Sequence, residues 1–546
     1  MLTESEQLSE QGSTESPSIM RGVVVGVLST FAGLAAAEVV TGLVRSSSSP
    51  ILPVGQQVID ATPRSVRQWA IETFGTSDKA VLVLGTLFSL AVIGSIVGIL
   101  AVKGRIVAAY AVTGVVGLIG VWAVLERPAP TFGKLLPPIV GTLTSLVVLW
   151  DLAGRPLEQK RRVPLDGDAK GGDDVGRRRF VQSAATIGLI AALAAVVGRL
   201  LKGRFNVDEE RAALQLPAPS DTAAPVVTVP VSGAPTVVGA EEPTDFGLDG
   251  VTPWVVPNAD FYRIDTALAV PQVPKDSWSL RIHGMVDREI TLTFADLLER
   301  PTIERYITLS CVSNEIGGDL VGNALFQGVR FKDVLDEAGV QPGATQVVSR
   351  SIDGWTCGSP TSVIMDGRDA MVAIAMNGEP LPPEHGYPVR LVVPGLYGYV
   401  SATKWVTEIE LTRWEDFDGY WIPRGWAKEG PVKTMARIDR PRRKKSYSAN
   451  ADGVIDIAGL AWAVHRGISK VEVSIDGGEW RECELAGVPS DDTWRQWRYR
   501  WSGATPGDHD VRARAYDGAG EPQPEQPKSV APDGAQGYHQ VRFSVD

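Results

Sequence analysis

The stretch HGYPVRLVVPG, residues 385–395, decides the interpretation of the C-terminal half of this 546-residue chain. Its His385 and Arg390 flank a Gly-Tyr-Pro turn, and the apolar residues after Arg390 predict a buried strand that ends at Pro394-Gly395. A guanidinium group is bidentate and always charged, so it suits a phosphate or a carboxylate. The stretch therefore favours an anion-binding site at the turn before a strand.

A second basic residue, Lys404, follows the small residues Ser401, Ala402 and Thr403. Backbone N–H groups of small residues can approach an anion closely. Taken singly, Arg390 and Lys404 are each more often an ordinary surface charge. Together with the small-residue stretch, they favour an anionic cofactor.

Cys311 lies between an apolar run and a Gly-rich turn in ITLSCVSNEIGG, residues 307–318. The pattern predicts a thiol at the end of a strand, where a thiolate can act as a soft metal ligand or a nucleophile. The alternative, a buried and inert cysteine, is the commoner case for a lone Cys. Cys357 and Cys483 are interpreted as packing residues. Three cysteines without a CxxC motif exclude a disulfide framework, a zinc ribbon and c-type haem attachment.

The N-terminal half contains five apolar runs, which predict an all-α bundle of about five transmembrane helices, because a span needs about 20 apolar residues. These runs are apolar all round, whereas a soluble core helix keeps one polar face. The predicted spans cover about residues 22–44, 80–102, 106–125, 135–150 and 180–198.

Basic residues predict the orientation of these spans. The connection before the last span is the richest in Lys and Arg, which places it in the cytoplasm and everything after about residue 200 outside. The sequence GRRRFVQ at residues 176–182 resembles a twin-arginine export signal, although an Arg triplet before a helix is often only a topology anchor. No histidine lies in a predicted span, so a membrane b-type haem held by paired histidines is excluded.

Composition predicts the remaining boundaries. Residues 1–20 are rich in Ser and Glu and are interpreted as a disordered tail, followed by the transmembrane region over 21–202. Residues 203–250, rich in Pro, Ala, Thr and Gly, are interpreted as a linker. Short strands mixed with short helices predict an α+β domain over 251–412, and alternating strands with Gly and Asp turns predict a β-sandwich over 413–546.

Other functional classes find little support in the sequence. The net charge of −11 speaks against a nucleic-acid partner. No GxGxxG follows a strand and no Walker A sequence occurs, so a nucleotide site is not supported. The sandwich by itself favours a binding or dimerisation module without chemistry.

Further segments complete a pattern in the C-terminal half. After Cys311 come HGYPVR at 385–390, Lys404-Trp405, Pro431-Val432 and VEVSIDGG at 471–478. This order, over about residues 251–546, resembles the sulfite oxidase family of molybdenum enzymes. The resemblance implies a sulfite-oxidase-type α+β molybdopterin domain and, for the sandwich, the family's immunoglobulin-like dimerisation domain, and hence a homodimer as one oligomeric state.

The resemblance implies molybdenum held by one pyranopterin, with Cys311 as the protein's thiolate ligand to the metal and no haem in the chain. It implies catalytic roles for Cys311 and Arg263. The cofactor-contacting residues that it implies are Asn258, Phe261, Tyr262, Arg263, Asp353, His385, Arg390, Ser401, Thr403 and Lys404.

The implied activity is two-electron oxygen-atom transfer by a membrane-anchored, extracytoplasmic enzyme. Its partners are expected to be a small-molecule oxygen-atom donor or acceptor, the lipid bilayer, and a separate electron carrier, either a cytochrome or a quinone system. Relatives carry arginines directly after the Cys-x-x-Asn stretch, whereas Glu315 and Ile316 stand here, which weakens sulfite as a substrate and favours a neutral S-oxide or N-oxide. The competing interpretation is a non-catalytic, membrane-anchored interaction protein with a relic molybdopterin domain and an immunoglobulin-like binding module.

Overall fold

The chain divides into two compact units, Met1–Asn206 and Val207–Asp546. The predicted tail lies almost entirely outside the described residues, as does the part of the predicted linker between residues 224 and 242. The computed structural model describes residues 19–44, 49–63, 66, 69, 73–74, 78–127, 132–160, 172–223, 243–450 and 453–546.

The first unit is mostly helical where the structure describes it. Among the described residues, five helices are long and apolar enough to cross a membrane, which confirms the five predicted apolar helices. The short α2 is not among the five, and it was not predicted, because its eleven residues include an internal Pro and Gly. The helices are α1 (Ile19–Leu43), α2 (Ile51–Ala61), α3 (Asp78–Val102), α4 (Ile106–Leu125), α5 (Phe132–Lys160) and α6 (Gly172–Gly203).

Helix α1 organises the bundle, because it contacts α3, α5 and α6. Its contact with α3 is made through glycines: Gly26 lies so close to Gly94 that a Cβ on Gly26 would stand 1.7 Å from the Gly94 carbonyl oxygen. In a bilayer, the lipid tails are as apolar as the helix surfaces, so no hydrophobic driving force favours contact between helices. Helices associate instead through such close backbone approach. The orientation of the bundle and the twin-arginine signal stay predictions.

The second unit begins with a segment that was expected within the linker. Residues 207–221, which we call the strap, contain α7 (Asp208–Ala213) and a parallel bridge between Asp221 and Ile303. Val207, at the start of the strap, is buried in the second unit. The strap is therefore a packed part of this unit.

The α+β domain contains two five-stranded sheets. One has the strand order β2–β1–β10–β5–β6, and the other has the order β3–β4–β7–β8 with β9 beside β7. The strands are β1 (Ser279–Gly284), β2 (Ile290–Thr293), β3 (Ile303–Ser310), β4 (Val321–Arg330), β5 (Gln346–Ser351), β6 (Thr356–Pro360), β7 (Met371–Met376), β8 (Glu379–Pro380), β9 (Arg390–Val392) and β10 (Val406–Thr412).

Short helices connect these strands, as the sequence predicts. They are α8 (Phe294–Leu298), α9 (Phe331–Ala338) and α10 (Thr361–Met365). A capping box between Thr293 and Asp296 begins α8. Helix α9 ends at Gly339, whose φ of +74° is the left-handed conformation that a glycine adopts without strain.

The C-terminal part has two further sheets, which share one apolar core. The four-stranded sheet has the order β11–β13–β17–β16 and the five-stranded sheet the order β12–β19–β18–β14–β15. The strands are β11 (Met435–Arg440), β12 (Ser446–Tyr447), β13 (Val454–Trp462), β14 (Ile468–Ile475), β15 (Arg481–Glu482), β16 (Glu484–Leu485), β17 (Arg495–Ser502), β18 (Gly507–Asp517) and β19 (His539–Val545). The all-β prediction is confirmed, whereas an immunoglobulin-like topology and a role in dimerisation stay predictions.

Two buried tryptophans join the α+β domain to the sandwich. The indole N–H of Trp254 donates to the carbonyl of Trp494 at 3.2 Å, and the indole N–H of Trp494 donates to the carbonyl of Trp254 at 2.9 Å. Strand β3 takes part as well, because the hydroxyl of Thr308 accepts from the N–H of Trp494 at 2.7 Å. The strand that leads to Cys311 is therefore held by both domains.

Candidate active site

Cys311 lies directly after β3, and its side chain faces a cleft in the α+β domain. The residue is only 8% exposed, and the N–H of Ser313 donates to its sulfur at 3.4 Å. Burial raises the pKa of the thiol, while the hydrogen bonds from Ser313 and the charge of Lys404 act in the opposite direction. The sulfur is thus both sheltered from bulk water and open to the cleft, as a ligand to a bound metal must be.

The loop from Cys311 to Leu320 is closed by its own hydrogen bonds. The N–H of Cys311 donates to the carbonyl of Leu320 at 2.9 Å, and the N–H of Leu320 donates to Oδ1 of Asn314 at 2.9 Å. Asn314 therefore fixes the loop from inside. Its position three residues after the cysteine gives the Cys-x-x-Asn pattern a structural reason.

The sandwich supports the same loop from outside. Nη1 of Arg437 donates to the carbonyl of Gly318 at 3.0 Å. The ring of His539 lies against Gly317, where a Cβ would stand 2.2 Å from Nε2, and Gly317 has a φ of +75°. Only glycine suits this position, because both the backbone conformation and the neighbouring ring exclude a side chain.

Arg390, the first residue of β9, is buried and lines the cleft. Its Nη1 donates to the carbonyl of His385 at 3.2 Å, and its guanidinium lies 5.7 Å from the centre of the Phe326 ring. Among the residues that the structure describes, its Nε has no hydrogen-bond partner. Burial lowers the pKa of Arg390 to about 10, which is the signature of a cation that lacks a counter-ion.

Lys404 is the second buried cation of the cleft. Its Nζ contacts Oδ2 of Asp265 at 3.1 Å and donates to the carbonyl of Glu384 at 2.9 Å. Burial lowers the pKa of Lys404 to about 8, and Asp265 opposes this change. Asp265 also pairs with Nε of Arg263 at 2.8 Å, so one carboxylate is shared by two cations.

The cleft encloses about 860 Å³ of space that protein atoms do not fill, part of it open to solvent. Six of the sequence-predicted site residues line it, and these are Phe261, Tyr262, Cys311, Asp353, Arg390 and Lys404. Burial raises the pKa of Tyr262, and the neighbouring Cys311 raises it further. The thiol and the two predicted cations therefore meet in one cleft, although they come from distant parts of the sequence.

Five predicted residues do not line the cleft. Nε2 of His385 makes a 3.0 Å hydrogen bond with the carbonyl of Asn258, and burial together with Arg390 lowers the pKa of His385 to about 3, so the ring is neutral. Ser401 bonds to the carbonyl of Tyr397 at 3.0 Å. The remaining two are Thr403, whose hydroxyl contacts Ser349, and Arg263, whose side chain is 39% exposed beside Asp265.

Sequence reasoning missed the aromatic wall of the cleft. Trp355, Tyr399, Trp421 and Trp426 line it, and the last two come from the segment between β10 and β11, which the prediction assigned to the sandwich. The density of tryptophans just after β10 was the available signal. Aromatic side chains exclude water while leaving polar edges for hydrogen bonds.

Glu315 does not line the cleft and is exposed to solvent. Ile316 instead points toward Gly537 of the sandwich region, where a Cβ on Gly537 would stand 3.0 Å from the Ile316 side chain. The electrostatic argument against a dianionic substrate therefore has no support from these two positions.

The residues present fit a molybdenum cofactor. A soft sulfur ligand, a buried guanidinium with an unsatisfied Nε and a buried ammonium group all face one cleft. A buried cation without a partner is costly, and an anionic phosphate that enters the cleft would supply the missing partner.

Comparisons with known proteins identify the family of the domain that contains the cleft. Residues 267–421 match the family described as "Oxidoreductase molybdopterin binding domain". The uncharacterized oxidoreductase YuiH of Bacillus subtilis (strain 168) is 37% identical over 153 residues, which cover 28% of this chain and 74% of that protein.

Other relatives match at lower identity. Human mitochondrial sulfite oxidase is 28% identical over 295 residues, covering 45% of this chain and 53% of that protein, so the chain spans about half the length of this relative. The sulfane dehydrogenase SoxCD from Paracoccus pantotrophus, a solved structure, is 23% identical with a TM-score of 0.45, covering 55% of this chain and 84% of that chain. From the matched molybdopterin domain and the YuiH identity, we conclude that the chain belongs to the sulfite oxidase family of molybdopterin-dependent oxidoreductases.

Proposed function

We propose that this protein is a membrane-anchored molybdenum-cofactor enzyme that catalyses two-electron oxygen-atom transfer to or from a small molecule. The observation that carries the proposal is the meeting of Cys311, Arg390 and Lys404 in one cleft. A thiol alone is compatible with inert packing, and a buried cation alone with a structural role. Their combination suits a metal-bearing, phosphate-bearing cofactor.

In this proposal Cys311 is the protein's ligand to the metal. When bound, the cofactor supplies the two-electron redox chemistry and the place where an oxygen atom is exchanged. The chain holds the sulfur in position through the closed loop of residues 311–320 and its two contacts from the sandwich. Contacts from both sides would hold the sulfur in one orientation toward a bound metal.

Arg390 and Lys404 bind the anionic end of the cofactor. Arg390 can donate from Nε, and Lys404 carries its proton below about pH 8. Asp265 keeps Lys404 charged in spite of burial. His385 acts indirectly, because its neutral ring bonds to the carbonyl of Asn258 and its own carbonyl accepts from Arg390.

The aromatic wall shields the reaction from bulk water. Trp355, Trp421 and Trp426 form the larger part of this wall, together with Tyr399. Exclusion of water strengthens the electrostatic contacts inside a site.

The five apolar helices are proposed to anchor the enzyme, with the second unit on the extracytoplasmic side. All five histidines follow residue 282, so the helices offer no pair of haem ligands. Electrons therefore pass to or from a separate carrier, which we propose to be a cytochrome or a quinone system. A homodimer through the sandwich follows from the family resemblance.

The first test is elemental analysis of the full-length chain purified in detergent. About one molybdenum and one pterin per chain are expected, because a single cleft holds the ligand set. Cys311→Ser should keep the pterin but lose activity, whereas Cys483→Ser, at a buried thiol in the sandwich core, should keep both. Metal-free wild-type protein from a host that makes the cofactor would refute the proposal and leave the non-catalytic interpretation.

A second test identifies the direction of transfer. Sulfite oxidation adds an oxygen atom derived from water, releases two protons and passes two electrons to an acceptor dye. S-oxide or N-oxide reduction removes an oxygen atom as water and consumes two electrons and two protons from a donor dye. Activity in neither assay with loaded enzyme would contradict oxygen-atom transfer.

A further inference from the structure

The strap follows the last apolar helix almost immediately in the sequence, since α6 ends at Gly203 and α7 begins at Asp208. Leu214 and Leu216 of the strap pack against the core of the α+β domain. The carbonyl of Pro217 accepts from the side-chain amide of Gln327 at 2.7 Å. The strap is thus bound along its length.

The C-terminal end of the strap lies beside β3. The N–H of Ser220 donates to the carbonyl of Thr302 at 2.8 Å, and the N–H of Glu304 donates to the carbonyl of Asp221 at 2.8 Å. The carboxylate of Asp221 pairs with Arg305 at 2.5 Å and with Arg330 at 3.0 Å. The strap therefore extends the sheet whose strand β3 leads to Cys311.

The N-terminal end of the strap reaches the turn before β9. Oε1 of Glu210 accepts from the hydroxyl of Tyr387 at 2.7 Å and from the N–H of Lys275 at 2.7 Å. Tyr387 is fully buried, and it stands between His385 and Arg390 in the sequence. Burial raises the pKa of Tyr387, and Glu210 raises it further, so the hydroxyl keeps its proton and donates it to the carboxylate.

Arg211 supports the same turn by a second route. Its Nε donates to the carbonyls of Pro380 and Leu381 at 2.9 and 3.1 Å, and its Nη2 contacts Glu379 at 2.7 Å. The carboxylate of Glu379 accepts from the side-chain amide of Asn258. The carbonyl of Asn258 in turn bonds to His385. Arg211 is therefore connected to His385 through Glu379 and Asn258.

We infer that the strap positions the turn of residues 383–390 for cofactor binding, with Glu210 and Arg211 as positioning residues. The inference rests on the proposed function, because it assumes that this turn binds the cofactor. Neither residue lines the cleft, so each acts through another group. The strap therefore supports the cofactor site, besides connecting the second unit to the last apolar helix.

The test uses the full-length, cofactor-loaded chain in detergent and measures the rate of pterin release alongside Tm. Tyr387→Phe removes only the hydroxyl, and Glu210→Ala removes the acceptor. Both should release pterin about tenfold faster than wild type, as expected for loss of one hydrogen bond to a charged group. Glu210→Gln keeps an acceptor oxygen and should restore most of the retention.

Glu209→Ala is the matched control, because Glu209 is exposed on the same helix. It should release pterin at the wild-type rate. The Mo(V) resonance signal should shift in Tyr387→Phe, since a displaced turn alters the cofactor's surroundings, whereas a merely structural role would leave the spectrum unchanged.

Wild-type release and an unchanged spectrum in Tyr387→Phe would overturn the inference. So would faster release that is matched by an equal effect in Glu209→Ala, or failure of Glu210→Gln to retain more pterin than Glu210→Ala. Wild-type protein without pterin or molybdenum is a different result, because it removes the proposed function itself.

Discussion

Replacement of Arg390 by methionine should stabilise the cofactor-free protein while abolishing cofactor retention. Burial lowers the pKa of Arg390 from 12.5 to about 10. At about 1.36 kcal/mol for each pKa unit, this fall corresponds to a cost of roughly 3 kcal/mol for holding the charge in the empty cleft at neutral pH. Since arginine does not lose its proton in a protein, the folded state bears the whole cost.

Favourable contacts of Arg390 offset part of this cost. The hydrogen bond to the carbonyl of His385 contributes about 1 kcal/mol, and the contact with the Phe326 ring about 0.5–1 kcal/mol. Methionine is a flexible apolar residue that fills irregular space well. The net gain is therefore about 1–2 kcal/mol, which raises the Tm of the second unit, 207–546, by about 1–3 °C.

The assay compares Tm by tryptophan fluorescence in full-length protein from a host that cannot make the pterin. Arg288→Met serves as the control, because this arginine is exposed and its replacement should change stability by less than about 0.5 kcal/mol. In a host that makes the cofactor, Arg390→Met should carry little pterin. A lower Tm in the cofactor-free state together with wild-type pterin content would refute the reasoning.

Two other predictions concern the same cleft, and a third concerns the buried thiol of Cys357. Cys311→Ser should retain pterin but lose activity, measured by turnover assay and pterin fluorescence; normal turnover with full metal would contradict the ligand role. Because the pKa of Lys404 lies at about 8, below its ordinary 10.5, its proton is present at pH 7 and lost by pH 9, so cofactor-free protein should bind inorganic phosphate more weakly at the higher pH. Calorimetry at pH 7 and pH 9 measures this change in phosphate affinity. Lys404→Arg stays charged at both pH values and should reduce the change. An equal change in wild type and Lys404→Arg would exclude Lys404 as its source. Burial raises the pKa of Cys357 to about 11, so iodoacetamide should modify it at pH 8 only after unfolding, as mass spectrometry can show; rapid modification of the native protein would count against the described packing.

Much of the fold was predictable because the local signals are strong. The apolar runs of the first unit exceed what a soluble helix tolerates, and the alternation in Val471–Ile475 matches β14. The strap was not predictable in the same way. Its Pro and Ala content is typical of a linker, and only tertiary contacts with β3 and with Tyr387 decide that it packs.

The site residues were most predictable where the residue type is scarce in the chain or where a specific sequence segment singles the residue out. Cys311 is one of only three cysteines, and Arg390 was singled out by its place in the HGYPVR segment; the structure places both at the cleft. Ser401 and Thr403 were chosen for their small size, yet their hydroxyls bond within the core. Sequence spacing does not reveal which way such side chains point, and that direction also placed Glu315 in solvent.

Because of the reciprocal indole contacts between Trp254 and Trp494, the sandwich cannot be removed or replaced without disturbing the α+β domain. Removing it would leave one ring without its acceptor and would open the side of β3 next to the sulfur ligand. Heating should accordingly melt residues 207–546 in a single cooperative step, with metal loss and tryptophan exposure rising together.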